Sequence, residues 1–182
     1  MAGQRLTDKT ALDNHTGSGD LYMVVDVSDT TGSGSGTSKK IDSKFVIQTD
    51  KISVTSAEFQ AMDATGGAGT FRTLANGPGA GYGFILLSAV ACGKYVSSTD
   101  SSNKNLYVGY DSSSSTHYWG TAGRFMSGVT ADRSYNMKYV SSTTAMVASG
   151  IDNKPLLLWS NGNFNGDFTA DVYITYQVIQ LW

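Results

Sequence analysis

The C-terminal segment DFTADVYITYQVIQLW alternates apolar and polar side chains more regularly than any other part of the chain. A period of two places successive side chains on opposite faces of a β-strand, so one face of this segment is apolar and the other is polar. The pattern predicts one long strand with one wall in a hydrophobic core. That wall consists of Phe168, Ala170, Val172, Ile174, Tyr176 and Val178.

The alternation fails after Val178, where Ile179, Leu181 and Trp182 add large apolar groups beyond the apolar wall. Leaving three such side chains in water is unfavourable, and clustered apolar groups of this kind are typical of interfaces. We therefore predict that Ile179, Leu181 and Trp182 pack against a neighbouring subunit. Burial under a loop of the same domain is the alternative.

Short apolar segments precede this strand at spacings near ten residues, with polar turns between them, which is typical of an antiparallel sandwich. The sequence predicts an all-β fold for residues 50–182, an antiparallel β-sandwich that is jelly-roll-like and has at most one short helix. The helix is expected after Thr55, which stands three residues before Glu58 in the spacing of a capping box. The expected strands and segments are 71–76, 84–96, LYVGYD, RFMSGV, MKYVSS, AMVASG and PLLLWS, and SSSSTHYWG is expected to be a turn region.

Residues 1–49 differ in composition and apolar patterning from the rest of the chain. DLYMVVDVSD reads as a strand, the Gly/Ser-rich TTGSGSGTSKKID as a flexible hairpin tip, and the apolar residues that resume at 41–47 as a return strand. Because one hairpin buries too little surface to be stable alone, we expect this segment to be an anchoring arm that docks on a sister chain or on another protein. A disordered tail is the alternative. The expected anchors are Leu21, Tyr22, Val24, Ile41 and Phe45.

The charge balance argues against several partners. Lys and Arg number 13 against 15 Asp and Glu, a formal net charge of −2, so the chain offers no polycation for nucleic acid or an anionic membrane. Cys92 is the only cysteine, which excludes an intramolecular disulfide and a cysteine-based zinc site within one chain. The longest apolar run, 82–92, is far shorter than the roughly 20 residues that span a bilayer. MAGQRLTDKT does not resemble a signal peptide, so we expect a soluble protein made in a reducing cytosol.

Glycines at 77, 79, 81 and 83 raise the question of a phosphate-binding loop in NGPGAGYGF. A dinucleotide fingerprint requires a third glycine where Tyr82 or Phe84 stands, and a P-loop requires Lys after its last glycine, where Phe84 stands. The tract TGSGSGTSKK fails the same tests. We interpret NGPGAGYGF as a turn that leads into a core strand, and we expect no cofactor.

The sequence gives little support for catalysis or for a metal site. His15 lies in the arm and His117 in a serine-rich turn, so the two histidines are not expected to form a metal pair. No nucleophile-elbow spacing surrounds His117. No pattern brings two carboxylates to a defined separation for sugar hydrolysis. The candidate carboxylates are Asp132, Asp152, Asp167 and Asp171.

Aromatic residues in polar turns are candidates for contact with a sugar or with another protein. Tyr110, Tyr118 and Trp119 lie among Ser, Asn and Gly, a mixture found on surfaces that stack on sugars or contact proteins. The alternative is that these aromatic rings cap the ends of the sandwich core.

Three segments resemble bacteriophage virion proteins. LTDKTALDNHTGSGDLYMVVDVSDTTGSGSGTSKKID is similar to the N-terminal attachment region of phage fibre-like proteins. ISVTSAEFQAMDATGGAGTFRTLANGPGAGYGFILLSAVA resembles the start of small phage β-sandwich proteins, and NGDFTADVYITYQVIQL resembles their closing strand. Together the segments cover about half of the chain, including regions near both ends.

The resemblance implies a non-enzymatic virion component, usually a homotrimer, that decorates the head or forms a short fibre. The chain lacks a long repetitive shaft, which favours a capsid decoration, cement or head-fibre protein over a long tail fibre. Its expected partners are its own copies and the major capsid protein or another virion protein, and its expected location is the virion. A short tail fibre or receptor-binding protein that recognises a host surface glycan is the alternative, and an enzyme that cuts host polysaccharide is the third choice.

Overall fold

The computed structural model describes residues 21–32, 34, 36–42, 45–62, 71–110, 118–121, 123–140 and 150–182. The chain divides into two compact units, Met1–Val46 and Ile47–Trp182. Each unit is described by itself below.

A β-hairpin forms the described part of the first unit. Strands β1 (Leu21–Asp26) and β2 (Thr37–Asp42) pair antiparallel. The loop between them is held by polar contacts, since Asp26 accepts hydrogen bonds from Ser28 and the Asp29 carboxylate pairs with Lys39. The Lys39 contact lowers the pKa of Asp29 to about 2. Strand β1 lies within the segment predicted to be a strand, whereas β2 lies within the tract predicted to be the flexible tip, and 45–47 is not part of it.

A single eight-stranded sheet forms the second unit. Every neighbouring pair of strands is antiparallel, and the spatial order is β3-β10-β5-β8-β7-β6-β9-β4. The edge strands β3 and β4 contact each other, so the sheet is nearly closed around one core. The all-β prediction is confirmed. The elements are β3 (Gln48–Val54), α1 (Ser56–Ala61), β4 (Arg72–Ala75), β5 (Tyr82–Tyr95), β6 (Leu106–Gly109), β7 (Tyr118–Thr121), β8 (Arg133–Val140), β9 (Leu156–Ser160) and β10 (Phe168–Gln180).

Strand β10 has the alternation that its sequence predicts. It lies between β3 and β5, and all six residues of the predicted apolar wall are buried. Asp171 is the exception on the opposite face, because it is buried as well.

Helix α1 begins with the predicted capping box. The Thr55 side chain accepts a hydrogen bond from the Glu58 amide, and the Glu58 carboxylate accepts one from the Thr55 amide. The helix brings Phe59 into the core, where its ring packs against three other phenylalanine rings. These rings belong to Phe125, Phe164 and Phe168, with centroid distances of 5.6, 5.5 and 4.8 Å.

Most of the expected strands are present. YWG, the end of the predicted turn region SSSSTHYWG, instead lies in β7, because β6 and β8 pair with this strand on both sides. RFMSGV, predicted as a short segment, is irregular over 124–129 and carries an isolated bridge between Ser127 and Asp100. AMVASG lies, apart from Gly150, outside the described residues.

Candidate functional site

An apolar patch lies on the outer face of the sheet, the face turned away from the core. Ile85 and Leu87 of β5 are 38% and 41% exposed. The register pairs Ile85 with Gln177 and pairs Gly83 with Ile179, so Ile179 is a diagonal neighbour of Ile85 on the same face. We call Ile85, Leu87 and Ile179 the outer patch. Ile47 immediately precedes β3 and is 58% exposed. By the alternation of that strand, it lies on the same side as the exposed residues of β3.

A β-bulge produces this patch. The pairing of β5 with β10 shifts between Tyr176, which lies opposite Leu86, and Thr175, which lies opposite Ser88. Leu87 therefore has no direct partner on β10. The alternation of β5 skips one position there, so the core-facing side chain that follows Leu86 is that of Ala89. A bulge re-aims side chains in this way and is common at functional surfaces. It explains why a strand that reads as apolar on both faces exposes part of its apolar sequence.

The predicted C-terminal contact residues separate into three environments. Ile179 is half-buried on the outer face, in the outer patch. Leu181 packs against the core of its own unit, and its amide donates a hydrogen bond to the Gly81 carbonyl. Trp182 is 66% exposed. Burial within the same domain thus describes Leu181, and the subunit contact stays a prediction for Ile179 and Trp182.

Charged groups occupy another part of the outer face. The buried Asp171 carboxylate accepts hydrogen bonds from Ser53 Oγ and Lys94 Nζ, both at 2.7 Å, and lies 3.2 Å from Lys51 Nζ. The hydrogen bond from Lys94 is the main cause of the strongly lowered pKa of Asp171, and the same contact raises the pKa of Lys94. Asp171 is therefore an ion-pair residue whose contacts join three strands.

The predicted aromatic contact residues do not form one exposed surface. Tyr110 is buried, and its hydroxyl donates a 2.6 Å hydrogen bond to the Phe84 carbonyl, while burial raises its pKa to about 12. Trp119 is partly buried against the core, and the side chain of Tyr118 lies outside the described part. Tyr139, directly opposite Trp119, is 48% exposed and meets it edge-on at 6.2 Å. The burial of Tyr110 fits the role of capping the core and removes it from the contact surface.

The backbone amides of the glycine-rich turn make hydrogen bonds within the chain. Gly79 and Gly81 have positive φ angles of 107° and 80°, which glycine adopts without strain. Their amides donate hydrogen bonds to the side chains of Asn153 and Asp152, at 2.9 and 2.8 Å. Side-chain oxygens of the chain itself thus occupy the N–H groups that a phosphate would require.

Within the described ranges, no group of three or more His, Cys, Asp or Glu side chains is arranged to hold a metal ion. Both histidines lie outside these ranges. None of the helices described here has the length and apolarity needed to cross a membrane.

The predicted arm anchors lie in or beside the hairpin strands. Leu21, Tyr22 and Val24 belong to β1, and of these three residues the backbone is described. In β2 and just beyond it, Ile41 and Phe45 are 38% and 37% exposed. Ile41 lies opposite Tyr22 in the hairpin register.

Comparisons with known proteins add little. No protein-family model matches the sequence, and no curated protein matches it. A chain of the solved Cyanophage Pam1 capsid asymmetric unit is similar to this one, with 13% sequence identity, a TM-score of 0.36 and coverage of 96% of each chain. A TM-score this low carries no argument about function.

Sequence reasoning did not single out Ile85, Leu87 or Tyr139, which are exposed on the second unit. The strand was expected to be buried through most of its length, and no local pattern marks where a bulge exposes one of its faces. Tyr139 sits in an ordinary strand segment, and only the cross-strand pairing with Trp119 sets it apart.

Proposed function

We propose that this chain is a non-enzymatic structural protein of a bacteriophage particle, a homotrimeric capsid decoration, cement or head-fibre protein. Its N-terminal segment attaches to the major capsid protein or another virion protein, and its β-unit projects outward. The observation that carries the proposal is the division of the chain into a small hairpin unit and a separate eight-stranded unit with an apolar outer patch. The resemblance of three segments to phage virion proteins supports the same assignment.

The hairpin is suited to attachment because a two-stranded sheet buries too little apolar surface to be stable alone. An extended segment that adds its strands to a partner sheet gains both backbone hydrogen bonds and side-chain contacts. Extra interface between capsid subunits then stabilises the particle by mass action. Imaging of particles that carry the labelled protein tests this, and density on the head lattice is expected. Density at the tail tip instead would contradict a decoration role.

The trimer contact is proposed to include the outer patch and Trp182. Light scattering is expected to give three times the chain mass of 19.3 kDa at micromolar concentration, whereas a mass near 19.3 kDa would exclude the trimer. Replacing Ile85 and Leu87 together by serine is expected to shift the mass toward the monomer. Val96→Ser is the matched control, since Val96 is 54% exposed and follows the opposite end of β5.

A short tail fibre or receptor-binding protein is the second candidate. The half-exposed Tyr139 beside Trp119 favours it, because aromatic faces stack on sugar rings. Glycan-array binding that is lost on Trp119→Ala and Tyr139→Ala, and retained on Tyr173→Ala at another exposed tyrosine, would support this candidate. The absence of enzymatic activity is tested by incubating the purified protein with host surface polysaccharide, whose length is expected to stay unchanged.

A further inference from the structure

We propose that Asn76 is the site at which the folded chain deamidates spontaneously. The sequence contains three Asn-Gly pairs, Asn76-Gly77, Asn161-Gly162 and Asn165-Gly166. Asn-Gly pairs are the most susceptible to this reaction because glycine has no side chain to obstruct attack by its own nitrogen. The structure restrains the three pairs to different extents.

The reaction needs only water. The glycine backbone nitrogen attacks the asparagine Cγ, a new N–Cγ bond forms, and the side-chain nitrogen leaves as ammonia. Water then opens the resulting succinimide at either carbonyl, which gives aspartate or isoaspartate. The attack requires a free side-chain amide and a glycine N–H that is not held elsewhere.

Asn165-Gly166 is the most restrained pair. The Asn165 side chain accepts a 2.8 Å hydrogen bond from the Ser101 amide and donates one to Ser101 Oγ at 3.0 Å. The Gly166 N–H, the attacking group, donates to the buried Asp100 carboxylate at 3.2 Å. Succinimide formation at this pair therefore has to break contacts on both reacting groups.

Asn161-Gly162 is held on the side of the asparagine. The Asn161 Oδ1 atom accepts a 2.8 Å hydrogen bond from the Asn105 amide. Succinimide formation at this pair therefore has to break a hydrogen bond of the reacting side chain.

Asn76 lacks such restraint. It is exposed just after the end of β4, and within the described ranges neither its side chain nor the Gly77 N–H makes a hydrogen bond. Gly77 itself packs tightly, since a Cβ there would lie 2.3 Å from the Asn153 carbonyl oxygen. The glycine that promotes the reaction therefore cannot be replaced without displacing that neighbour. The product adds a negative charge and, as isoaspartate, an extra backbone methylene beside the turn held by Asp152 and Asn153.

The test is peptide mapping by mass spectrometry after incubation of the full chain in mildly alkaline buffer made with ¹⁸O-labelled water. In the folded protein the Asn76 peptide is expected to convert first. The other two pairs should convert more than about tenfold more slowly, because reaction there waits for local opening. In urea all three pairs are expected to convert at comparable rates. Comparable rates in the folded protein, or faster conversion at Asn161 or Asn165, would overturn the proposal.

Asn76→Gln supplies the matched variant, because glutamine would have to form a larger and slower-forming ring. Acidic forms of the protein, separated by ion exchange, are expected to accumulate much more slowly in the variant than in the parent chain. Accumulation at the parental rate would also overturn the proposal.

Discussion

The N-terminal hairpin and strands β5 and β10 are both antiparallel pairs, yet they are held together by different means. In the eight-stranded unit, β10 is paired on both sides and one of its faces is buried throughout. In the hairpin, the described contacts of the connecting loop are exposed or partly exposed hydrogen bonds and an ion pair. Buried apolar area contributes far more free energy than exposed polar contacts do. We therefore expect most of the stability to reside in the second unit, and attachment through the hairpin stays a proposal.

Among the proposed variants, Phe59→Ala should lower the free energy of unfolding most. Phe59 is fully buried among three phenylalanine rings, so its removal leaves a cavity and is expected to lower the free energy of unfolding by about 3–5 kcal/mol. Urea denaturation measures the loss. Phe45→Ala in the first unit, where the side chain is 37% exposed, is the control and should change the midpoint little. Equal losses of unfolding free energy in the two variants would contradict the expectation that most of the stability resides in the second unit.

Asp171→Asn should have the next largest effect. Hydrogen bonds to a charged group each contribute about 1.5–3 kcal/mol, so a loss of that order is expected at neutral pH. The folded-state pKa of Asp171 is lowered, so its stabilisation is fully present above the ordinary value of 3.8 and is lost as the pH falls through the folded-state pKa. Urea midpoints of both proteins at neutral and strongly acidic pH should therefore converge in acid. A gap that stays constant across this range would refute the ion-pair role.

Thr55→Ala tests the helix that delivers Phe59. Losing the N-cap oxygen is expected to cost about 1 kcal/mol, seen as a lower midpoint of thermal unfolding. Thr55→Ser retains the capping oxygen and should recover most of the loss. If serine is no better than alanine, the cap does not stabilise the unit.

Deleting residues 1–46 should have the smallest effect on the stability of the second unit. The eight-stranded sheet has its own core, so its urea midpoint is expected to stay nearly unchanged. Binding to particles that lack the protein should be lost in the same deletion. A large fall in the midpoint would show that the two units are energetically dependent.

The candidate surfaces were less predictable than the fold. The sequence marked Ile179 and Trp182 as apolar groups outside the wall, and both are at least partly accessible. It could not separate them from Leu181, because coverage of that side chain depends on where the chain end meets the core. Tyr110 shows the same limit, since its polar neighbours in sequence are not its neighbours in space.

Local chemistry alone determined the alternating wall of β10, the capped start of α1 and the glycine turn at 79–81. In each case the cause lies within a few residues: the period of the side chains, the spacing of Thr55 and Glu58, or the freedom of glycine at positive φ. Only the tertiary structure decided that YWGT is a strand, that β5 carries a bulge and that Asp171 is buried. Those outcomes depend on partners distant in the sequence, because a strand, its register and a buried charge are stabilised by whatever lies across the sheet.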